Sequence, residues 1–240
     1  MPRDGHASRA SRGQAGNDIT VTARNECSSV DSKITAVENR AQEYFDDVNP
    51  AHDWFHVQRV CETAVDLARE EGADLETVRL AALLHDIGRG KEDCGEIENH
   101  AAWGAKESET ILEEFDYRRD RIEAVTHCIR AHRYSRPPEP RSLEAKVLSD
   151  ADNLDALGAI GIARTFTYGA ERGAPIADPA LPAKADDSTA GQTSLNHLEK
   201  KILSLRERMY TDAGQRRARD RHDYVESFIE RLEAELAGQK

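Results

Sequence analysis

The stretch Leu80-Ala81-Ala82-Leu83-Leu84-His85-Asp86-Ile87-Gly88-Arg89-Gly90-Lys91 decides how the rest of the chain reads. Five apolar residues run into an adjacent His-Asp pair, and the glycines behind it supply a helix stop and room for close backbone or ligand approach. Two hydration-demanding groups at the end of such a run are costly to bury unless a metal or hydrogen-bonding partners receive them. Neighbouring residues on a helix diverge by about 100°, so His85 and Asp86 reach one ion only at a helix end that faces another segment.

Two other segments offer matching groups. His52 and His56 stand four apart in His52-Asp53-Trp54-Phe55-His56, and share a helical face if the helix has begun by Ala51. Asp150, Asp152 and Asp155 follow the apolar Val147 and Leu148, and three carboxylates so close together need a counter-charge. Imidazoles and carboxylates together suit a catalytic Mn, Fe, Mg, Co or Zn site better than a structural zinc site. Each segment alone also has a structural explanation: a histidine pair can cap a helix, Asp86 can end one, and the three aspartates can be a surface cluster. Asp53 stands where a zinc-protease HExxH motif would need Glu, which removes that chemistry.

Composition narrows the class. Of 240 residues, 38% are hydrophobic and only 5% aromatic, which suits packed helices of Leu, Ile, Val and Ala better than aromatic-rich strands. The formal charge of -12 makes the chain a poor candidate for sequence-independent nucleic-acid binding. Arg outnumbers Lys, and the carboxylate excess also fits a cytosol of high salt, a halophile's interior. Cys27, Cys61, Cys94 and Cys128 form no CxxC pair, so they are expected to be reduced thiols. With no apolar signal core at the N-terminus and no membrane-length apolar run, a cytoplasmic protein without a membrane partner is expected.

Residues 1–30 mix Gly, Ser, Ala, Arg and Asn without periodicity and read as a disordered tail. Residues 31–240 read as one domain, broken by a Pro-rich turn at 136–140 and a long loop over about 171–192, a length typical of lids or disordered excursions. Elsewhere helical periodicity dominates: helices are expected near 31–45, 51–71, 75–87, 98–115, 118–133, 141–157, 158–169, 193–211 and 213–238. No segment alternates with period two, so the fold class is all-α.

The order His56, then His85-Asp86, then Asp152 resembles the H…HD…D signature of the HD-domain metal-dependent phosphohydrolases, an all-helical superfamily. HDWFHVQRV, LAALLHDIG, AKVLSDADNLDALGAIGIAR and SLNHLEKKILSLRERMYTDAGQRRARDRHDYVESFI resemble, more closely, the small subfamily that includes nucleoside triphosphate pyrophosphohydrolases. The likeness covers about residues 33 to 238.

The resemblance implies a single HD-domain helical bundle in which His56, His85, Asp86 and Asp152 hold one divalent ion, with Mn2+ favoured over Mg2+, Co2+, Ni2+, Fe2+ and Zn2+. Asp152 is preferred to Asp150 as the second Asp of the family's DAD stretch. Asp86 and Asp150 are expected to help deprotonate water, and His100 and His132 to contact phosphate or a second ion. Lys91, Arg89 and His197 are expected to bind substrate, and Asp150 and Asp155 to orient ligands or bind substrate, with Asn196 and Lys200 on the far wall and His127 structural. Arg89 departs from the family pattern, which often has an acidic residue there. The implied reaction is water attack on a nucleotide phosphate, most specifically cleavage of a nucleoside triphosphate to monophosphate and pyrophosphate. Alternatives are phosphatase or phosphodiesterase action on a monophosphate or signalling nucleotide, and a non-catalytic metal- or nucleotide-binding regulator. The expected partner is thus a nucleotide or phosphate ester, with a homodimer as the oligomeric option.

Overall fold

The structure, a computed structural model, describes residues 31–46, 48–133 and 137–240. The chain divides into two units, Met1–Ala36 and Val37–Lys240. The tail expected over residues 1–30 lies outside the described residues. Within these the fold is all-α, with no strand.

Helix α1 spans 31–42 and runs into a 3-10 turn, Glu43–Phe45. There follow α2 (Trp54–Glu71), α3 (Leu75–Leu84), the short α4 (Arg89–Asp93), α5 (His100–Glu114) and α6 (Arg119–Ala131). Then come α7 (Leu143–Asp155), α8 (Gly158–Glu171), α9 (Ser194–His197) and α10 (Asp212–Leu236). Between α9 and α10 the chain makes a π-helical turn, Leu198–Ile202, and a 3-10 stretch, Leu203–Arg208.

Short polar side chains start most of these helices. Asp53, Asp74, Asn99, Ser142, Thr193 and Thr211 each accept a backbone N–H from the first turn that follows. Asp53 changes one expectation. Its carboxylate accepts from His56 N at 2.9 Å, so α2 begins at Trp54. His52 ends a separate 3-10 turn, Pro50–His52, and does not share a helical face with His56. At the other end Gly72 terminates α2 with φ +77°, a left-handed conformation that a side chain would oppose.

The apolar run of α3 is buried on nearly every side: Val78, Leu80, Ala81, Ala82, Leu83 and Leu84 are all in the core. A helix apolar all round needs neighbours on all sides, and α3 packs against α2, α6, α7 and α5. Gly88 makes the turn after His85-Asp86 possible. A Cβ there would come within 2.8 Å of His100 O and 3.0 Å of the Trp103 ring, so the close approach it permits is that of α5's own backbone.

Two boundaries depart from periodicity. The helix expected across Leu75–Ile87 stops at Leu84, freeing His85 and Asp86 from helical spacing, and Arg89–Asp93 turns again as α4. The helix expected over 193–211 is broken into α, π and 3-10 pieces. The loop after α8 is organised by Asp186, which accepts from Ser188 N and Oγ, Gln192 N and Asn196 Nδ2 at 2.9, 2.6, 2.7 and 2.8 Å.

Candidate metal centre

Four imidazoles converge from four elements: His56 in α2, His85 after α3, His100 in α5 and His132 after α6. All four are buried, as is Asp86, and Asp152 of α7 completes the group. Their donor atoms fall into two triads, His56, His85 and Asp152, and Asp86, His100 and His132. Asp86 lies between them. Its Oδ2 is 3.7 Å from His56 Nε2 and 3.8 Å from His85 Nε2, while its Oδ1 is 3.1 Å from His100 Nε2 and 3.7 Å from His132 Nε2. His56 Nε2 stands 3.5 Å from Asp152 Oδ1.

The outer nitrogen of every ring is engaged. His56 Nδ1 donates to Asp155 Oδ2 at 2.7 Å, His85 Nδ1 to Ala82 O at 2.7 Å, His132 Nδ1 to Ile129 O at 2.7 Å, and His100 Nδ1 to Glu92 Oε2. A carbonyl or ionised carboxylate only accepts, so each Nδ1 carries a proton, and each ring in its neutral form turns an Nε2 lone pair inward. His56 Nε2 and His85 Nε2 are then 3.3 Å apart, and His100 Nε2 and His132 Nε2 are 3.4 Å apart. Two lone pairs face to face at that separation repel, and a cation between them converts the repulsion into coordination. The donor set therefore fits a divalent metal, with tautomers set by the outer acceptors.

The rings differ in their electrostatics, His56 and His132 being pushed toward the neutral form and His100 toward the protonated one. Burial works against ionised Asp86, yet the imidazoles of His85, His100 and His132 hold its carboxyl well below the usual range. Burial, with Arg164 nearby, lowers the pKa of His56, and burial beside His85 lowers that of His132 to about 4. At His100, burial is outweighed by Asp86 and Glu92, which raise its pKa. Asp155 is buried but receives His56, Arg59 and Arg164, whose hydrogen bonds hold it ionised far below the ordinary value.

A cavity of about 250 Å³ opens beside the cluster. Asp86, His100, His132 and Asp152 form its floor, and Arg89, Arg133, Arg164 and Lys201 place four cationic side chains in its lining. His52, Asn153, Tyr168 and His197 are also there. The Nδ1 of His52 and the Nδ2 of Asn153 are buried and lack a hydrogen-bond partner. Burial, with Arg89 and Arg164 close by, pushes the His52 pKa well down, so that ring is neutral.

Several expected roles do not match these positions. Asp150 is not part of the cluster: its Oδ1 accepts from Tyr210 N at 2.8 Å, and its Oδ2 from Thr211 N at 2.8 Å and Thr211 Oγ1 at 2.6 Å. It ties α7 to the start of α10 rather than facing water at the metal centre. Lys91 lies outside the cavity lining, with its ammonium 2.8 Å from Glu96 and over the Trp103 ring. Of the two roles expected of Asp155, binding substrate does not suit its place outside the cavity lining, behind His56, whose Nδ1 it receives. Asn196 and Lys200 turn to the loop, bonding Asp186 and its neighbours. Arg89 and His197 do line the cavity, and His127 accepts from Arg141 N at 3.2 Å, a structural contact. Sequence reading passed over Glu92, Arg133, Arg164 and Lys201. Arg59, one turn beyond His56 on the same helix, was the detectable signal among the supporting residues.

The HD domain family matches residues 54–157. The chain is 31% identical to the uncharacterized protein YpgQ of Bacillus subtilis over 201 residues, 82% of this chain and 90% of that protein. Among solved structures it resembles an HD-superfamily hydrolase from Bacillus thuringiensis, with 36% identity, a TM-score of 0.70 and coverage of 88% of this chain and 100% of that one. It is also similar to Bacillus subtilis YpgQ in complex with ADP, with 30% identity, a TM-score of 0.69 and coverage of 86% and 96%.

Proposed function

Because the chain belongs to the HD-domain superfamily of metal-dependent hydrolases, we propose that it hydrolyses a nucleotide at phosphorus, releasing pyrophosphate from a nucleoside triphosphate. The observation that carries this reading is the pair of inward-facing triads joined by Asp86 and opening on a cavity with four cationic side chains. The ADP held by the similar YpgQ structure supports a nucleotide ligand.

His56, His85, Asp86 and Asp152 would hold one ion; His100 and His132, with the second oxygen of Asp86, offer ligands for another. Mixed nitrogen and oxygen donors suit Mn2+, which is our choice among the divalent ions. A divalent ion supplies Lewis acidity, acidifying water and polarising a phosphoryl oxygen. The protein's own groups do the rest. Arg89, Arg133 and Arg164 are each braced by a carboxylate, Asp93, Glu92 and Asp155, and present charge to phosphoryl oxygens without reorganising. Asn153 offers a buried amide donor. Among the described residues the cavity lining contains no serine or cysteine, and its threonine, Thr165, donates to Gly161 O at 2.9 Å. That supports direct attack by water over a covalent intermediate.

The test is turnover of a nucleotide panel by protein loaded with Mn2+, Co2+ or Mg2+ over a range of salt, with products resolved as phosphate or pyrophosphate. Pyrophosphate release that disappears in Asp86→Ala supports the reading. Free phosphate alone transfers it to a phosphatase or phosphodiesterase. Tight metal and nucleotide binding without turnover transfers it to a regulator.

A further inference from the structure

The cations of the cavity are not equivalent. Arg89 reaches Asp93, Arg133 reaches Glu92, and Arg164 reaches Asp155. Lys201 has no hydrogen bond or ion pair from its ammonium to any described residue, although it is half-buried and lines the same cavity. Its pKa is lowered by burial and by the guanidiniums of Arg89 and Arg133. A charge held against like charges, away from bulk water and without a carboxylate in ion-pair contact, is costly unless an anion arrives.

The backbone that places it there is itself unusual. Lys201 sits in the π-helical turn Leu198–Ile202, a geometry that costs regular hydrogen bonding and that recurs at functional sites. The turn separates two adjacent lysines: Lys200 points to the carbonyls of Asp186 and Ser188, and Lys201 lines the cavity. Two other cavity groups from different elements, His52 Nδ1 and Asn153 Nδ2, are likewise without partners. Lys201 forms no ion pair with Asp86 or Asp152, although Asp152 is near enough to oppose the lowering of its pKa, so its ammonium is open to an anion in the cavity.

We propose that Lys201, presented by the π-helical turn, is a specificity-determining residue that binds a second phosphate group of the substrate and so selects phosphate chains over monophosphates. This rests on the reading of the cavity as a nucleotide phosphohydrolase site and adds to it the part of the substrate that is read.

The experiment compares wild type, K201M and K201R by calorimetric titration with inorganic tripolyphosphate and with orthophosphate at fixed ionic strength, beside KM and kcat for a nucleoside triphosphate and its monophosphate. A charge-assisted hydrogen bond to phosphate is worth about tenfold or more in affinity. K201M is expected to weaken tripolyphosphate by that factor, leave orthophosphate within about twofold, and raise KM for the triphosphate with little change in kcat; K201R retains most of the binding. The melting temperature of K201M should not fall, because no protein partner loses a bond. Equal weakening of both anions, unchanged tripolyphosphate binding, or a lowered melting temperature with no rescue in K201R would overturn the proposal. Lys201-dependent tripolyphosphate binding without nucleotide turnover would remove the hydrolase reading and keep this one; turnover with Lys201-independent binding would do the reverse.

Discussion

His56 Nδ1 donates to Asp155 Oδ2 at 2.7 Å, and Arg59 and Arg164 grip the same carboxylate at 2.8 and 2.9 Å. Asp155 thereby fixes both the tautomer and the orientation of a ring whose other nitrogen faces the metal centre. Asp155→Asn can present its amide nitrogen to His56 and force the proton to Nε2. Metal affinity should fall about 10–100-fold, measured by Mn2+ titration. An affinity within twofold of wild type would show that the ring is oriented by packing alone.

Asp86 faces both triads with one oxygen each, so the two halves of the cluster should be separable. Wild type is expected to bind two divalent ions per chain, and His132→Ala one, counted by elemental analysis after dialysis. Asp86→Ala should bind neither tightly. One ion in wild type, unchanged in His132→Ala, would assign His100 and His132 to phosphate contact instead.

Asp150 is predicted to matter for a different reason. It is fully buried and accepts three hydrogen bonds, two from backbone N–H groups that no other acceptor satisfies in its absence. Asp150→Ala should cost about 2–3 kcal/mol, a drop in melting temperature of about 5–10 °C for a chain of this length, while folded protein at low temperature keeps its metal affinity. Gly214→Ala should mimic the loss of stability, because a Cβ there runs into the Asp150 carboxylate.

The contrast between Asp150 and Asp152 shows what the sequence could carry. Residue types announced a metal centre because imidazoles and carboxylates near apolar runs have few other uses, and helical periodicity with Asp, Asn, Ser and Thr caps drew most of the fold. Which carboxylate faces which way depends on where α10 begins in space. A two-residue shift along α7 turns a side chain through about 200°, so Asp150 meets Thr211 while Asp152 meets His56. Glu92, Arg133, Arg164 and Lys201 were illegible for a related reason: a single charged residue in a helix or a loop looks like solvated surface until folding brings it to a cavity. The broken helix at 198–208 hid the last of them, since its sequence retains helical periodicity.

The loop between α8 and α9 supplies a pH prediction. Hydrogen bonds from Ser188 Oγ, Gln192 N and Asn196, with the backbone of Ser188, hold the Asp186 carboxyl well below the usual carboxylate range, against the opposing effect of burial. A depressed carboxylate contributes stability that is fully present above the unfolded value of about 3.9 and is lost as pH falls toward the folded value. Asp186→Asn should therefore melt at a lower temperature than wild type by a constant margin from pH 8 to pH 5, and the margin should shrink below about pH 4. Limited proteolysis near pH 7 should cut the variant first within residues 172–193, where those donors lose their acceptor. A margin that grew as the pH fell would mean that Asp186 is protonated in the fold and that the loop is held by other contacts.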